Sequence, residues 1–261
     1  MSTSIDSRAV VGPKARLGEH VFVGPFSIIE DDVAIGEGTH IASNVLIASG
    51  TRIGKECRVH HGAVLGTVPQ DLKFLGEETT LEIGDHTTIR EYATLNRGTH
   101  DRWKTTVGSH CLIMAYAHIA HDCDIGNHVI LANSVNMAGH VVIEEYAIVG
   151  GVTPIHQFVC IGRHSMIGGG YRVPKDVPPY VLAGQEPLVF QGLNTVGLRR
   201  RNFLPEIIAI LENVYRILYQ SHLNVTQAVE RIKAEAPQTT EVQHVLDFIA
   251  ASKRGIIGSR R

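Results

Sequence analysis

Only four of the 261 residues are cysteine, too few for a disulfide-stapled scaffold of this length. Cys57, Cys111 and Cys123 each stand two residues before a recurring aliphatic, where Ala, Ser, Thr and Val also occur. With Cys160 they read as small core residues, not ligands or bridges. Charge of one sign is missing too. The formal net charge is −2, so no global field points to nucleic acid or to a membrane surface. No 18-residue apolar run exists, which excludes a transmembrane helix and stable membrane insertion. The opening MSTSIDSRAV has neither a charged n-region nor an apolar h-region, so no secretory leader and a reducing, cytoplasmic setting are expected. There is no GxGxxG and no P-loop, and no serine or cysteine is evidently placed as a nucleophile.

What is present is a period. Every sixth position from Ile5 to Val173 gives 29 residues, of which 26 are Ile, Val, Leu or Met; the exceptions are Asp71, Glu77 and Asp101. Six is not a helical period, and because it is even each aliphatic points the same way from an extended chain. A glycine often follows the aliphatic, as at Gly36, Gly54 and Gly108, and is expected to serve a tight corner. Three hexads per coil make an 18-residue rung of triangular section, a hexapeptide-type parallel β-helix over residues 1–175. Two segments break the pattern, 67–80 (TVPQDLKFLGEETT) and 97–106 (RGTHDRWKTT), and the repeat resumes in phase after each. They are expected to be extruded loops, which solenoids tolerate and which often carry function. Pro178 and Pro179 mark a boundary, and residues 176–261 read as helical. Amphipathic runs lie at 204–219, 225–236 and 241–251, suited to capping the open end of the coil.

The densest polar cluster is HIAHDC, with His118, His121 and Asp122, followed by His140 and by His156-Gln157. An 18-residue coil stacks His121, Gly139 and Gln157 in one column and Asp122 with His140 in the next. A neutral imidazole can take a proton from a hydroxyl near pH 7, and Asp122 could orient it. Gly139 could turn a free backbone N–H to an oxyanion. Direct transfer to an acceptor hydroxyl is then simpler than a covalent intermediate. The competing reading is zinc, held by histidines from adjacent edges as in a γ-class carbonic anhydrase. Arg199-Arg200-Arg201 is either a solvated helix start or a clamp for a diphosphate. A silent scaffold of the same shape is the alternative of another class; the intact His–Asp pair speaks against it.

The strings QDLKF, IGD…IRE, NRGT, AHIAHDC, AGH, IHQF, DVPPY and GLRRRNF occur in this order. Together they resemble the UDP-N-acetylglucosamine O-acyltransferases of lipid A biosynthesis in Gram-negative bacteria, over the whole chain. The resemblance implies a left-handed coil, a homotrimer, and transfer of a 3-hydroxyacyl group from acyl carrier protein to the glucosamine 3-hydroxyl. It implies no cofactor and no metal. His121 matches the general base, Asp122 its orienting partner and Gly139 the oxyanion donor. Asp71, Lys73, His118, His140, His156, Gln157, Asn194, Arg200 and Arg201 match substrate-site positions, and Gly169 matches an acyl-chain ruler. Three departures bear on substrate preference: Asn96 where many members have His, HDRWK in place of a glycine-rich stretch, and Val196 where some carry a carboxylate. An N-acyl transfer to a 3-amino sugar nucleotide stays open. Positions six apart occupy different corners, so His121 and Gly169 belong to two corners, and Lys73 to the third if its loop keeps the coil.

Overall fold

The computed structural model describes residues 3–259. The hexads form short parallel strands, many of two residues, that wind into a coil with three faces. On the first face Leu112 lies beside Ile130, which lies beside Ile148 and then Met166, each eighteen residues from the last. The second face repeats this with His118, Asn136 and Pro154, and the third with Asp124, Val142 and Cys160. The architecture is a left-handed parallel β-helix with a helical C-terminal portion. No helix among the described residues is long and apolar enough to cross a membrane.

The aliphatic of each hexad points inward and stacks on its equivalents. Ile41, Val59, Ile89, Ile113, Leu131, Val149 and Ile167 make one such column, none more than 1% exposed. Two residues earlier lies a second inner column of small side chains. Its threonines donate to a carbonyl on the next rung, Thr39 to Gly54 at 2.8 Å and Thr87 to Gly108 at 2.8 Å. The Cys57 and Cys111 thiols do the same, each at 3.1 Å, to Gly84 and Gly126. These cysteines are free, and burial pushes the Cys111 thiol up to about 11, so it stays protonated as a donor.

The corner glycines differ from expectation. Of the glycines that follow a repeat aliphatic, only Gly66 has a positive φ. The left-handed residue comes two positions later and is usually not glycine, as at His110, His128, Tyr146 and His164. Glycine is needed for clearance instead. A Cβ on Gly36 would lie 2.5 Å from the carbonyl carbon of Gly54 on the next rung. The left-handed residues form their own ladder on the third-to-first corner. His86, His110, His128, Tyr146 and His164 stack ring on ring at 4.8, 4.8, 4.5 and 4.8 Å.

The two loops enlarge single coils. Arg58 pairs with Thr88, thirty residues on, and Thr88 with Leu112, twenty-four on. The second loop is shorter than expected, because Lys104–Val107 is already a strand of the third face. Both loops leave the second-to-third corner, between Val64–Thr67 and Thr80–Ile83, then between Thr94–Asn96 and Lys104–Val107. Lys73 therefore shares the corner of His121, not the third corner that a loop keeping the coil would give it. The first loop does not keep the coil; it departs from one corner and returns to it.

Past the last coil, Val181–Gly184 extends the first face parallel to Met166–Ile167 and turns back antiparallel into Val189–Leu193. Four helices follow: α1 (Thr195–Arg200), α2 (Pro205–Gln220), α3 (Val225–Glu235) and α4 (Thr240–Ala251). The last three match the amphipathic runs; α1 was not foreseen. Pro205 opens α2, where its missing N–H costs no bond. α2 buries Ile208, Leu211, Val214, Tyr215, Ile217 and Leu218. The Tyr215 hydroxyl donates to the Pro179 carbonyl at 2.5 Å, and the Asp176 carboxylate accepts from the Cys160 N–H and the Ser252 hydroxyl. Coil and helices thus share one core.

Two substitutions should move stability in opposite directions. Gly36→Ala forces a methyl into backbone and should cost about 2 kcal/mol. Val152 is a β-branched residue at φ 57° and is exposed, so Val152→Asn should gain about 1 kcal/mol by relieving the left-handed strain. Urea unfolding midpoints check both; a neutral Gly36→Ala would refute the clearance argument.

Candidate active site

His118 stands on the second face in the strand His118–Ile119, and His121 and Asp122 turn the corner behind it. The expected columns are present. The His121 ring lies flat against Gly139, one rung on: a Cβ there would meet its Cε1 at 2.6 Å and its Nε2 at 2.8 Å. Any residue but glycine would push the imidazole away. The His140 N–H donates to the His121 carbonyl, and the Phe158 N–H to the Gly139 carbonyl, so the corners are laced together. The Gly139 N–H has no acceptor among the described residues.

Asp122 is fully buried and takes three donors at close range. His121 Nδ1 lies 2.8 Å from Oδ2, the Thr99 hydroxyl donates to Oδ2 at 2.6 Å, and the Thr99 N–H donates to Oδ1 at 2.9 Å. The Arg102 N–H adds a longer bond at 3.3 Å. Burial alone would favour the neutral acid, but the His121 and Thr99 bonds outweigh it and hold the carboxyl at about 2. An ionised carboxylate only accepts, so Nδ1 of His121 must carry hydrogen. Nε2 then keeps its lone pair and is the atom left for the cleft. That is the form a general base needs.

The cleft in front of this ring has a volume of about 590 Å³ and lies along the second face. Gln70, His118, Asn136, Met137 and Pro154 line it with His121 and Gly139. The His118 ring is held by Thr94, whose hydroxyl lies 2.7 Å from Nδ1. Burial, and secondarily His121, lowers the His118 pKa, which keeps that ring neutral. His140 packs edge-on to His121 at 5.2 Å between ring centroids and flat on Phe158 at 4.5 Å. Its pKa is lowered by burial and by His121, against the pull of Asp122 and Asp101.

The two loops clasp each other beside the pair. The Arg97 guanidinium sits 5.5 Å over the Phe74 ring, and His100 Nδ1 lies 3.5 Å from Glu77. Asn96 donates to the Thr67 hydroxyl at 3.0 Å and to the Val68 carbonyl at 3.2 Å, tying the root of the first loop. Asp71 caps its own turn, accepting from the Lys73 N–H at 3.0 Å, and Lys73 is exposed. Gln70, Thr94 and Thr99 join the site without a sequence signal of their own, and Asp101 shows in the sequence only as a break in the period. Gln70 and Thr99 lie inside the strings QDLKF and NRGT, but loop lengths outside the 18-residue count hid which rung they would face.

Other site candidates stand elsewhere in the chain. His156 and Gln157 are exposed one rung above Gly139, with His156 Nδ1 3.1 Å from the Gln157 carbonyl. Gly169 is exposed on the first-to-second corner. Asn194 is buried and caps α1 by accepting from the Gly197 N–H, while its amide donates to the His164 carbonyl at 2.9 Å. Arg201 reaches across to the Tyr146 carbonyl at 3.3 Å, its guanidinium 5.1 Å above the Tyr146 ring. Arg200 is exposed beside it. Asn194, Arg200 and Arg201 thus gather on the third-to-first corner. A single chain presents His121, Gly169 and the arginines on three different corners.

His121, Asp122 and His140 also offer three ligand-type atoms within 4.8 Å of one another. Their geometry suits hydrogen bonding better than a cation: both Asp122 oxygens already accept protein donors, and His121 Nδ1 is engaged with one of them.

Residues 176–257 match the family described as UDP N-acetylglucosamine O-acyltransferase, domain 2, and residues 14–49, 32–67 and 104–139 match the bacterial transferase hexapeptide family. An acyl-[acyl-carrier-protein]–UDP-N-acetylglucosamine O-acyltransferase of Ectopseudomonas mendocina is 49% identical over 97% of this chain and 99% of its own. A UDP-N-acetylglucosamine acyltransferase structure from Bacteroides fragilis superposes with a TM-score of 0.95 at 45% identity, covering 97% of this chain and 99% of that one. The Arabidopsis enzyme does so with a TM-score of 0.86 at 33% identity, covering 97% and 99%. The chain belongs to the acyl-[acyl-carrier-protein]–UDP-N-acetylglucosamine O-acyltransferase family.

Proposed function

We propose that this protein transfers a 3-hydroxyacyl group from acyl carrier protein to the 3-hydroxyl of UDP-N-acetylglucosamine, the first step of lipid A biosynthesis, in the cytoplasm. The observation that carries this is the His121–Asp122 pair, its Nε2 left for the cleft, with Gly139 against the ring and its N–H without an acceptor among the described residues. In this reading Nε2 takes the proton of the sugar hydroxyl as its oxygen attacks the thioester carbonyl. The Gly139 N–H meets the oxyanion, and collapse expels the carrier thiolate, which takes the proton back from the imidazolium. Asp122 stabilises that imidazolium without itself accepting the proton. Residues 1–175 supply this chemistry. Residues 176–261 supply Arg200 and Arg201, suited to the nucleotide diphosphate, while Asn194 caps the helix that carries them. Asp71, Lys73, His118, His140, His156 and Gln157 surround the sugar, and Gly169 limits the acyl chain.

His121→Ala should lower kcat by roughly 10²–10⁴-fold with the fold intact. Near-full activity at saturating acceptor would remove His121 from its role.

A second reading, a zinc hydrolase, is favoured only by the closeness of His121, Asp122 and His140. No metal should be needed: chelator-treated protein should stay fully active by thioester assay and hold no stoichiometric metal by elemental analysis. Activity lost on chelation and restored by zinc would favour the rival reading.

The working unit in this proposal is a homotrimer. A face of about five residues spans roughly 16 Å, so one prism cannot bring three corners to one sugar nucleotide. Threefold packing sets unlike corners of neighbours together. Tyr92 and Tyr116, exposed and stacked at 5.3 Å on the Gly169 corner, suit such packing. Inactive His121→Ala protein mixed with inactive Arg200→Ala protein under subunit exchange should regain activity. A fully active monomer by light scattering would end the proposal.

A further inference from the structure

We infer that Thr99 is a positioning residue for the reacting pair, its hydroxyl fixing which Asp122 oxygen meets His121. This rests on the proposed transfer with His121 as base.

Thr99 is only 2% exposed and sits at the mouth of the second loop, directly over Asp122. Its hydroxyl and the His121 ring share one oxygen, Oδ2, at 2.6 and 2.8 Å. Its N–H takes the other oxygen at 2.9 Å. The carboxylate is gripped at both ends, so it cannot rotate to offer His121 a different lone pair. The direction of the hydroxyl proton is fixed as well. The Asp101 N–H lies 3.3 Å from the Thr99 oxygen and donates to it, which leaves the hydroxyl hydrogen for Asp122.

The loop is built to hold this grip. The Gly98 N–H donates to the Thr80 carbonyl, and the Trp103 N–H to the Thr99 carbonyl at 2.7 Å. A Cβ on Gly98 would meet the Lys104 nitrogen at 2.4 Å, so the glycine lets the chain fold back tightly enough to seat Thr99. Charged and titratable groups facing the pair are His118 and His140 from the coil and Asp101 and Arg102 from the same loop. Thr99 is neutral. It acts by drawing charge density from the one oxygen that also stabilises the imidazolium.

The sign of its effect follows. Without the hydroxyl, Oδ2 attracts the His121 proton more strongly, the imidazolium forms at higher pH, and the base is lost earlier as pH falls. Looser aim of the ring lowers turnover as well. A purely structural threonine would reduce the amount of active enzyme but leave the shape of the pH profile alone.

The test uses the full-length protein in its native assembly with a 3-hydroxyacyl carrier-protein thioester and UDP-N-acetylglucosamine. Thr99→Val should cut kcat about tenfold, leave KM for the sugar nucleotide within about twofold, and move the acid limb of kcat/KM upward by about half a pH unit. Thr99→Ser should restore both. Should the valine variant fail to fold, Thr99→Ser against Thr99→Ala carries the comparison, since these differ by one oxygen. An unmoved limb and unchanged kcat in the hydroxyl-free variants, with His121→Ala inactive, would overturn the role of Thr99 alone. An active His121→Ala would overturn the transfer mechanism beneath it.

Discussion

Everything in this molecule hangs on a backbone paired in register with its own equivalent eighteen residues later. That spacing fixes the inner column, because only residues in the same phase share an interior. It fixes the corners, because strands of two residues leave no slack to shift them. It also sets the approach of neighbouring rungs, which is why a methyl at Gly36 would strike backbone. Parallel strands this short have little stability singly. Their stability comes from stacking, each rung lending its neighbours a buried aliphatic layer and a set of carbonyl acceptors.

The reacting pair uses the same lattice. His121 is placed by its rung, and its ring is flattened by the absent side chain of Gly139 on the next. Asp122 occupies a left-handed corner position with φ 58°, which aims its carboxylate back at the preceding residue and at the loop below. Loops and coil divide the work. The coil supplies rigidity and repetition, and the two enlarged coils supply what repetition cannot: a threonine over the carboxylate and a glutamine in the cleft.

The fold was legible because a period of six with an aliphatic interior has few other solutions. The columns of His121 with Gly139 and of Asp122 with His140 followed from counting eighteens, and the structure places them so. Counting failed where the chain leaves the lattice. Phase places Lys73 on the third corner only if its loop keeps the coil; the extruded loop has no phase, and Lys73 shares the His121 corner. The corner glycines were misread for a related reason: residue identity suggested a turning role, while the demand came from the neighbouring rung. Asn194 is turned inward as a helix cap, a role invisible before α1 was known. Thr99 lies within the string NRGT, yet its partner Asp122 is set only in three dimensions.

The latch between the two loops has a consequence for how the protein responds to ligand. Arg97 on Phe74 and His100 on Glu77 join insertions from successive coils. In a solenoid, fluctuations open locally and spread through nearest-neighbour contacts. A ligand seated against both loops therefore acts as a staple across two rungs, and its binding energy is shared along the stack. The middle of the coil, which carries the chemistry, would then be its most cooperative stretch when occupied, leaving the ends to fray first.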